Sequence, residues 1–346
     1  MYSWVRSLLF LLPPHAAHAV GLYGLQVAEH LEWGSPPSFA KSLETERMGL
    51  TFAHPMGLGG GFDKNAVAPH ALAALGFSFL ELGTVTALAQ RENPRPNMFR
   101  LPLDRALINR LGFPNDGAKR VVDRFVHMTE SRAVGVPVAF SIGKSRTVDA
   151  SRQKDVIDDY IFSLREVARA ADFVVVNVSS PNTQNLRTLQ APEMARTLLT
   201  EIQDAAGKRS RRLPLLLKVA PDLELAAFDE LLDVAKDVKL DGIVATNTTI
   251  AREGLQTPAE SVMAMGAGGL SGPPLRERAV RMVSRARERL GSLATIVGVG
   301  GIEDTEHVRA YLAAGANLVQ LYTGFVYGGP GVVRRIASEL DERAQR

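Results

Sequence analysis

From residue 51 onward, short runs of β-branched and apolar residues alternate with longer stretches whose apolar positions recur at helical spacing. The runs at 52–58, 77–82, 136–142, 173–178, 213–219, 242–246, 295–299 and 318–322 predict eight strands. Between them, Val156, Tyr160, Leu164 and Val167, and later Phe228, Leu231, Leu232 and Ala235, place apolar side chains on one face of a helix. Strand followed by helix, repeated, predicts a parallel sheet. The unbroken run Phe173, Val174, Val175, Val176 predicts strands covered on both faces. Eight such units closing on themselves make an α/β TIM (β/α)8 barrel, whose chemistry gathers at the C-terminal strand ends. Two long excursions leave those ends. One spans 84–115 and carries Pro94, Pro96, Pro102 and Pro114; the other, 248–269, ends in Gly266-Ala267-Gly268-Gly269 and is expected to act as a flexible lid.

The first 40 residues break this rhythm. Positions 7–28 hold no Asp, Glu, Lys or Arg, a length that suffices to cross a bilayer. Pro13-Pro14 interrupts the stretch, and His15, His18, Gly21, Gly24 and Gln26 dilute it, which argues against a spanning helix. Arg6 and Ala17-His18-Ala19 fit a secretory signal, but the apolar run at 8–12 is short for one. The remaining reading is two short helices meeting at the prolines, with Trp4, Leu8 and Leu11, then Val20, Tyr23 and Val27, repeating at helical spacing. A unit so small leaves an apolar face exposed to a membrane interface or a lipophilic ligand, unless that face packs on the main domain. The expected organisation is an N-terminal helical domain at 1–40 and a barrel domain at 41–346.

Composition removes several chemistries. Forty basic against 37 acidic residues give a net charge of +3, too little for a nucleic-acid-binding face. The absence of cysteine excludes a disulfide, a thiolate nucleophile, cysteine-ligated zinc and an iron–sulfur cluster held by this chain. The scattered histidines form no metal-ligand pattern, so no metal is expected.

Polar residues concentrate at the strand ends instead. The first strand runs into Gly59-Gly60-Gly61-Phe62-Asp63-Lys64, where bare backbone can approach a flat ligand and Lys64 can meet an anion, although a Gly-rich turn alone is equally a tight connection. The fourth ends in Asn177-Val178-Ser179-Ser180-Pro181-Asn182-Thr183, rich in amides and hydroxyls that also favour simple turns. Lys218 closes the fifth, either at the barrel mouth or in a structural salt bridge, and Thr246-Asn247-Thr248-Thr249 follows the sixth. Gly298-Val299-Gly300-Gly301 and Tyr322-Thr323-Gly324 end the seventh and eighth, where barrels commonly bind phosphate.

Over residues 48–335 the chain resembles the dihydroorotate dehydrogenases, and its N-terminal extension is similar to that of their membrane-associated, quinone-dependent class. The motifs that carry the resemblance are 177–183 with Leu186-Arg187-Thr188-Leu189-Gln190, Ile108-Asn109-Arg110-Leu111-Gly112-Phe113, Ala245-Thr246-Asn247-Thr248-Thr249, Gly268-Gly269-Leu270-Ser271-Gly272 and Val299-Gly300-Gly301-Ile302. The resemblance implies an FMN enzyme of pyrimidine biosynthesis that oxidises dihydroorotate to orotate and passes electrons to a quinone, ubiquinone or menaquinone. It implies Ser180 as the base that removes the C5 proton. Lys64, Asn109, Asn177, Asn182, Asn247 and Thr248 are implied to bind the pyrimidine and its carboxylate, with Arg110, Leu111, Gly112 and Phe113 from the same motif. Gly59, Gly60, Gly61, Phe62, Asp63, Thr84, Ser141, Asn177, Lys218, Thr246, Gly272, Gly301, Tyr322 and Thr323 are implied to hold FMN.

A serine is a weak base in water and needs an enclosed site, with a neighbour such as Thr183 to carry the proton onward. The family's soluble class uses cysteine as base, and one branch needs an iron–sulfur partner subunit; a chain without cysteine has neither its own thiol base nor an expected need for that subunit. Residues 1–40 are then expected to provide an apolar quinone path, on a peripheral membrane protein of the cytoplasmic face of a bacterial inner membrane. The sequence departs from the usual pattern at Ser141, where many relatives carry asparagine, at Gly59-Gly60, usually Ala-Ala, and at 86–90, which lacks the usual prolines. Rival readings are another FMN barrel, such as a dihydrouridine synthase, and a flavin-binding membrane protein without catalysis.

Overall fold

The computed structural model describes residues 2–208 and 212–344. Eight parallel strands form a closed barrel: β1 (Met56–Leu58), β2 (Leu80–Val85), β3 (Val138–Ile142), β4 (Phe173–Asn177), β5 (Leu215–Val219), β6 (Gly242–Ala245), β7 (Thr295–Val299) and β8 (Leu318–Leu321). Each pairs with its sequence neighbours, and β8 closes on β1 through Val319↔Met56. Strands β3 and β5 begin one residue after Pro137 and Pro214, whose nitrogens cannot donate to the ladder. Their carbonyls still accept, from Leu80 and Val174.

The first expected strand is two separate pieces. Phe52 ends a strand, Leu50–Phe52, that pairs antiparallel with Thr45–Arg47 beneath the barrel. The chain then turns at His54-Pro55 before β1, and the His54 Nδ1 accepts the Met56 N–H. His54 Nε2 meets the Gly76 carbonyl, and burial pulls the ring to about 4, so it stays neutral.

Side chains alternate along every barrel strand. Those facing outward, such as Leu80, Val174, Leu217 and Ile296, pack under the helix ring. Those facing inward build two unlike layers. The lower one is apolar: Phe79, Ala139, Phe173, Val175, Leu216, Val244, Val297 and Leu318, closed from the hairpin below by Phe52, with Phe79 5.5 Å from Phe52 and 6.2 Å from Phe173 between ring centres. Gly57 is obligatory here, because a Cβ would lie 2.4 Å from the Phe79 ring. Two residues further along the same strands come Glu81, Ser141, Asn177, Lys218 and Gln320, all buried.

The two excursions fold together. Met98–Leu101 and Ala106–Asn109 form a hairpin, and Gly269–Ser271 pairs antiparallel with its second strand through Leu270↔Ile108. Of the expected lid at 248–269, only its last residue, Gly269, enters this three-stranded sheet. Arg110 donates to the Met265 and Ala267 carbonyls, and Arg252 to that of Gly268, which fastens the glycine run.

At the N-terminus, α1 (Tyr2–Leu11) and α2 (Pro14–His30) meet at Pro13, and Pro14 occupies the first turn of α2, where a missing N–H is harmless. One face docks on the barrel: Tyr2 donates to the Val326 carbonyl at 2.8 Å, Phe10 packs edge-on against Tyr327, and Arg100 lies over the Phe10 ring while donating to the Phe10 and Leu12 carbonyls. Glu29, near the end of α2, accepts from the Ala71 N–H and contacts His70. The opposite face exposes Trp4, Leu8, Leu11, Val20 and Tyr23, each more than half accessible. Docking and apolar exposure thus coexist on one pair of helices. Among the described residues, no helix is long and apolar enough to cross a membrane.

Candidate active site

The upper layer and the loops above it line a cleft that opens to solvent. Its floor and one wall come from Gly59, Gly60 and Gly61 after β1, Thr84 from β2, Asn177 at the end of β4 and Ser180 after it, Lys218 from β5 and Thr246, Asn247 and Thr248 after β6. Asn109, Leu111, Gly112 and Phe113 come from the first excursion, and Gly272, Gly301, Tyr322 and Thr323 from the far side.

A chain of amides runs around the rim. Asn182 Nδ2 donates to Asn109 Oδ1 at 3.2 Å, and Asn247 Nδ2 donates to Ser179 Oγ at 2.9 Å and to Asn177 Oδ1 at 3.3 Å. Asn177 Nδ2 donates to Thr84 Oγ1 at 3.0 Å. Ser180 is buried, lines the cleft, and its Oγ accepts the Asn182 N–H at 3.2 Å. Three positions on, the buried Thr183 hydroxyl has no hydrogen-bond partner among the described residues. Lys64 also lines the cleft; its ammonium donates to the Gly61 carbonyl, and burial lowers it to about 8 against the opposing pull of Asp63 and Glu92. Burial pushes the Tyr322 phenol up to about 12, so it remains a neutral donor near Gly61.

Far-side glycines make a close backbone cradle. A Cβ on Gly301, whose φ is +65°, would stand 2.8 Å from the Gly272 carbonyl, and Gly272 has φ +104°. Only glycine lets the loops after β6 and β7 approach so closely with backbone groups exposed to a ligand.

Four of the expected site residues do not line this cleft. The Arg110 guanidinium is spent on backbone carbonyls of Pro96, Met265 and Ala267, tying the two excursions together outside the cleft lining. Phe62 turns away to stack edge-on with Tyr322, Phe325 and His18. The Asp63 carboxylate accepts the Val67 and Ala68 N–H groups at about 3 Å and fixes the turn after the glycines; burial raises it. Ser141 stands behind Thr84, 2.9 Å from its hydroxyl, and does not line the cleft.

Arg187, Glu81 and Gln320 escaped the sequence reading. Arg187 reaches three loops at once: Nε donates to the Ser179 carbonyl at 3.0 Å, Nη2 to the Thr248 carbonyl at 3.0 Å, and Nη1 to Asp222 at 2.8 Å. Glu81, wholly buried, accepts from Lys218 at 2.9 Å and from Gln320 Nε2 at 2.7 Å. Lys218 thus satisfies both of its readings, lining the cleft while ion-paired. The signal for Glu81 was its spacing of two from the inward Phe79.

Behind Lys64 lies a second cleft, between α2 and the barrel, lined by His18, Leu22, Gln26, Phe62, Gln90 and Pro114. Lys64 borders both clefts. Burial lowers the His18 imidazole to about 3, with Lys64 adding to the shift, so it is neutral there.

The family description "Dihydroorotate dehydrogenase" matches residues 42–344. Among curated proteins, one named dihydroorotate dehydrogenase (quinone) from Corynebacterium efficiens is 44% identical, covering 100% of this chain and 90% of its own length. Another of that name, from a Nocardioides species, is 50% identical over 84% of this chain and 83% of its own. Among solved structures, a DHODH from Eimeria tenella in complex with ferulenol superposes with a TM-score of 0.85 at 34% identity, over 96% of this chain and 92% of that one. The chain belongs to the dihydroorotate dehydrogenase family.

Proposed function

We propose that this protein is a quinone-dependent dihydroorotate dehydrogenase of pyrimidine biosynthesis, with FMN and dihydroorotate side by side in the main cleft. The observation that carries the reading is the convergence of a buried serine, a ring of amides and a lysine on one wall with a glycine cradle on the other. When bound there, FMN would supply a two-electron acceptor between the substrate C6 hydride and the quinone. Its phosphate suits the backbone N–H groups around Gly272, Gly301 and Thr323, where the loops after β7 and β8 form the usual barrel phosphate site. Gly59, Gly60, Gly61, Thr84, Asn177, Lys218, Thr246 and Tyr322 surround the rest.

Ser180 takes the proton from C5, and the unpartnered Thr183 hydroxyl is the neighbour that relays it. Arg187 positions this base by fixing the Ser179 carbonyl next to it. Lys64 receives the substrate carboxylate in its charged form. Asn109, Asn177, Asn182 and Asn247 exchange their mutual hydrogen bonds for those of the pyrimidine's alternating N–H and C=O groups. Lys218 places positive charge where the reduced cofactor gathers negative charge.

Residues 1–40 form the quinone-access unit, and their exposed apolar face rests on the membrane surface as a peripheral attachment. The cleft behind Lys64, with Phe62 and the neutral His18, is the route inward. No iron–sulfur subunit is required. Anaerobic mixing with dihydroorotate should bleach bound FMN within seconds, and added quinone should restore its colour. Flavin that stays oxidised over minutes rejects the assignment. A chain lacking residues 1–40 should lose quinone reoxidation more than flavin reduction; equal loss would give those residues a folding role only.

A further inference from the structure

We infer that Glu81, with Gln320, sets the electron affinity of the cofactor by partly neutralising Lys218 from beneath. This inference rests on the FMN reading. It concerns a buried ion pair that the chemistry of Ser180 does not use.

Glu81 and Gln320 both point into the barrel from the layer above the phenylalanines, on β2 and β8, and Lys218 reaches them from β5. The Glu81 carboxylate is fully enclosed and takes one donor on each oxygen, Lys218 Nζ on Oε1 and Gln320 Nε2 on Oε2. Its position is enforced from above as well: a Cβ on Gly60 would stand 2.1 Å from Oε1, so the glycine loop closes directly over the carboxylate. A buried ion pair contributes little net stability, because desolvation offsets most of the attraction. Apolar side chains continuing the layer below would fill this space at lower cost. The pair lies at the floor of the cleft, and its ammonium end lines it.

Gln320 has a fixed orientation. A carboxylate only accepts, so the amide nitrogen must face Glu81 and the amide oxygen must face the other way. That oxygen is buried and has no partner among the described residues, and Gln320 lines the cleft. An acceptor so placed suits an N–H on the edge of a flat heterocycle, as the flavin pyrimidine ring offers. Glu81 therefore acts at one remove, as a positioning residue. It holds the ammonium and the amide in place, and its negative charge subtracts from the field that Lys218 applies to the cofactor.

The test is the affinity of bound FMN for sulfite, whose adduct places negative charge on the same side of the ring as reduction does, followed by visible absorbance. Glu81→Gln keeps the shape and removes the charge, and should tighten sulfite by about tenfold, equivalent to about 30 mV in the two-electron potential. Glu81→Asp, which keeps the charge, should return the affinity toward that of the unaltered enzyme. Gln320→Leu leaves the carboxylate to Lys218 alone, so less of the ammonium's field reaches the ring and sulfite binding should weaken. Sulfite affinity equal to that of the unaltered enzyme in every variant that loads FMN overturns the inference. Unaltered enzyme that binds no FMN at all would instead defeat the flavin reading on which it rests.

Discussion

The lower and upper layers of the barrel interior lie two residues apart on the same strands and have opposite chemistry. On β4, Val175 faces the apolar layer and Asn177 the cleft; on β5, Leu216 and Lys218 divide in the same way. Phe79 and Glu81 repeat the contrast at the start of β2. The lower layer is apolar and interlocked by edge-on phenylalanine contacts, so it supplies packing energy without polar cost. The upper layer holds buried amides and charges that cost desolvation and are kept in place by one another. Stability and chemistry are thus stacked along the barrel axis, and each should be separately breakable.

The largest break is expected below. Phe79→Ala removes a fully buried ring that touches Phe52 and Phe173, and should cost about 3–5 kcal/mol, read as a lowered urea midpoint. Molecules that remain folded should reduce FMN at the unaltered rate. A slowed rate at full occupancy would mean that the layers are mechanically coupled. Above, Ser180→Ala should leave the urea midpoint nearly unchanged while slowing flavin reduction by about 10² or more, the worth of a general base. Unchanged stopped-flow kinetics would remove Ser180 from the mechanism.

The smallest effect concerns Lys64, whose ammonium is held near 8 by burial. The charged form, which the substrate carboxylate needs, predominates below that pH. The kcat/KM for dihydroorotate should therefore fall as pH rises through about 8, approaching tenfold per unit beyond it. A flat profile from pH 7 to 10 would detach Lys64 from carboxylate binding. The loss should appear mainly in KM, because the ammonium binds rather than reacts.

Much of this division was readable in advance. Eight strand patterns, and the helices between them, follow from local periodicity alone. The boundaries moved where a local rule intervened: at Pro137 and Pro214, which lack a donor, and at His54-Pro55, which turns the chain between the hairpin below and β1. The pairing of Ala106–Asn109 with Gly269–Ser271 was not readable, because it joins segments about 160 positions apart through a register that no local pattern encodes. That pairing takes in the last glycine of the run, while Arg110 and Arg252 donate to the carbonyls of Ala267 and Gly268 before it. Arg110 belongs to a motif that otherwise lines the cleft, and only the three-dimensional position of the Met265 and Ala267 carbonyls reveals its tie. Glu81 and Gln320 were hidden for a simpler reason. Each is a single polar residue in an apolar run, and its role depends on which way the strand faces.

Alternation also makes the barrel unforgiving toward changes in length. Deleting one residue between Gly76 and Leu80 would rotate every following side chain of β2 by half a turn. The Phe79 ring would turn toward the helix ring, and Glu81 would leave the ammonium for hydrocarbon. A substitution in this strand damages one layer, whereas a frameshift of pleat removes both together.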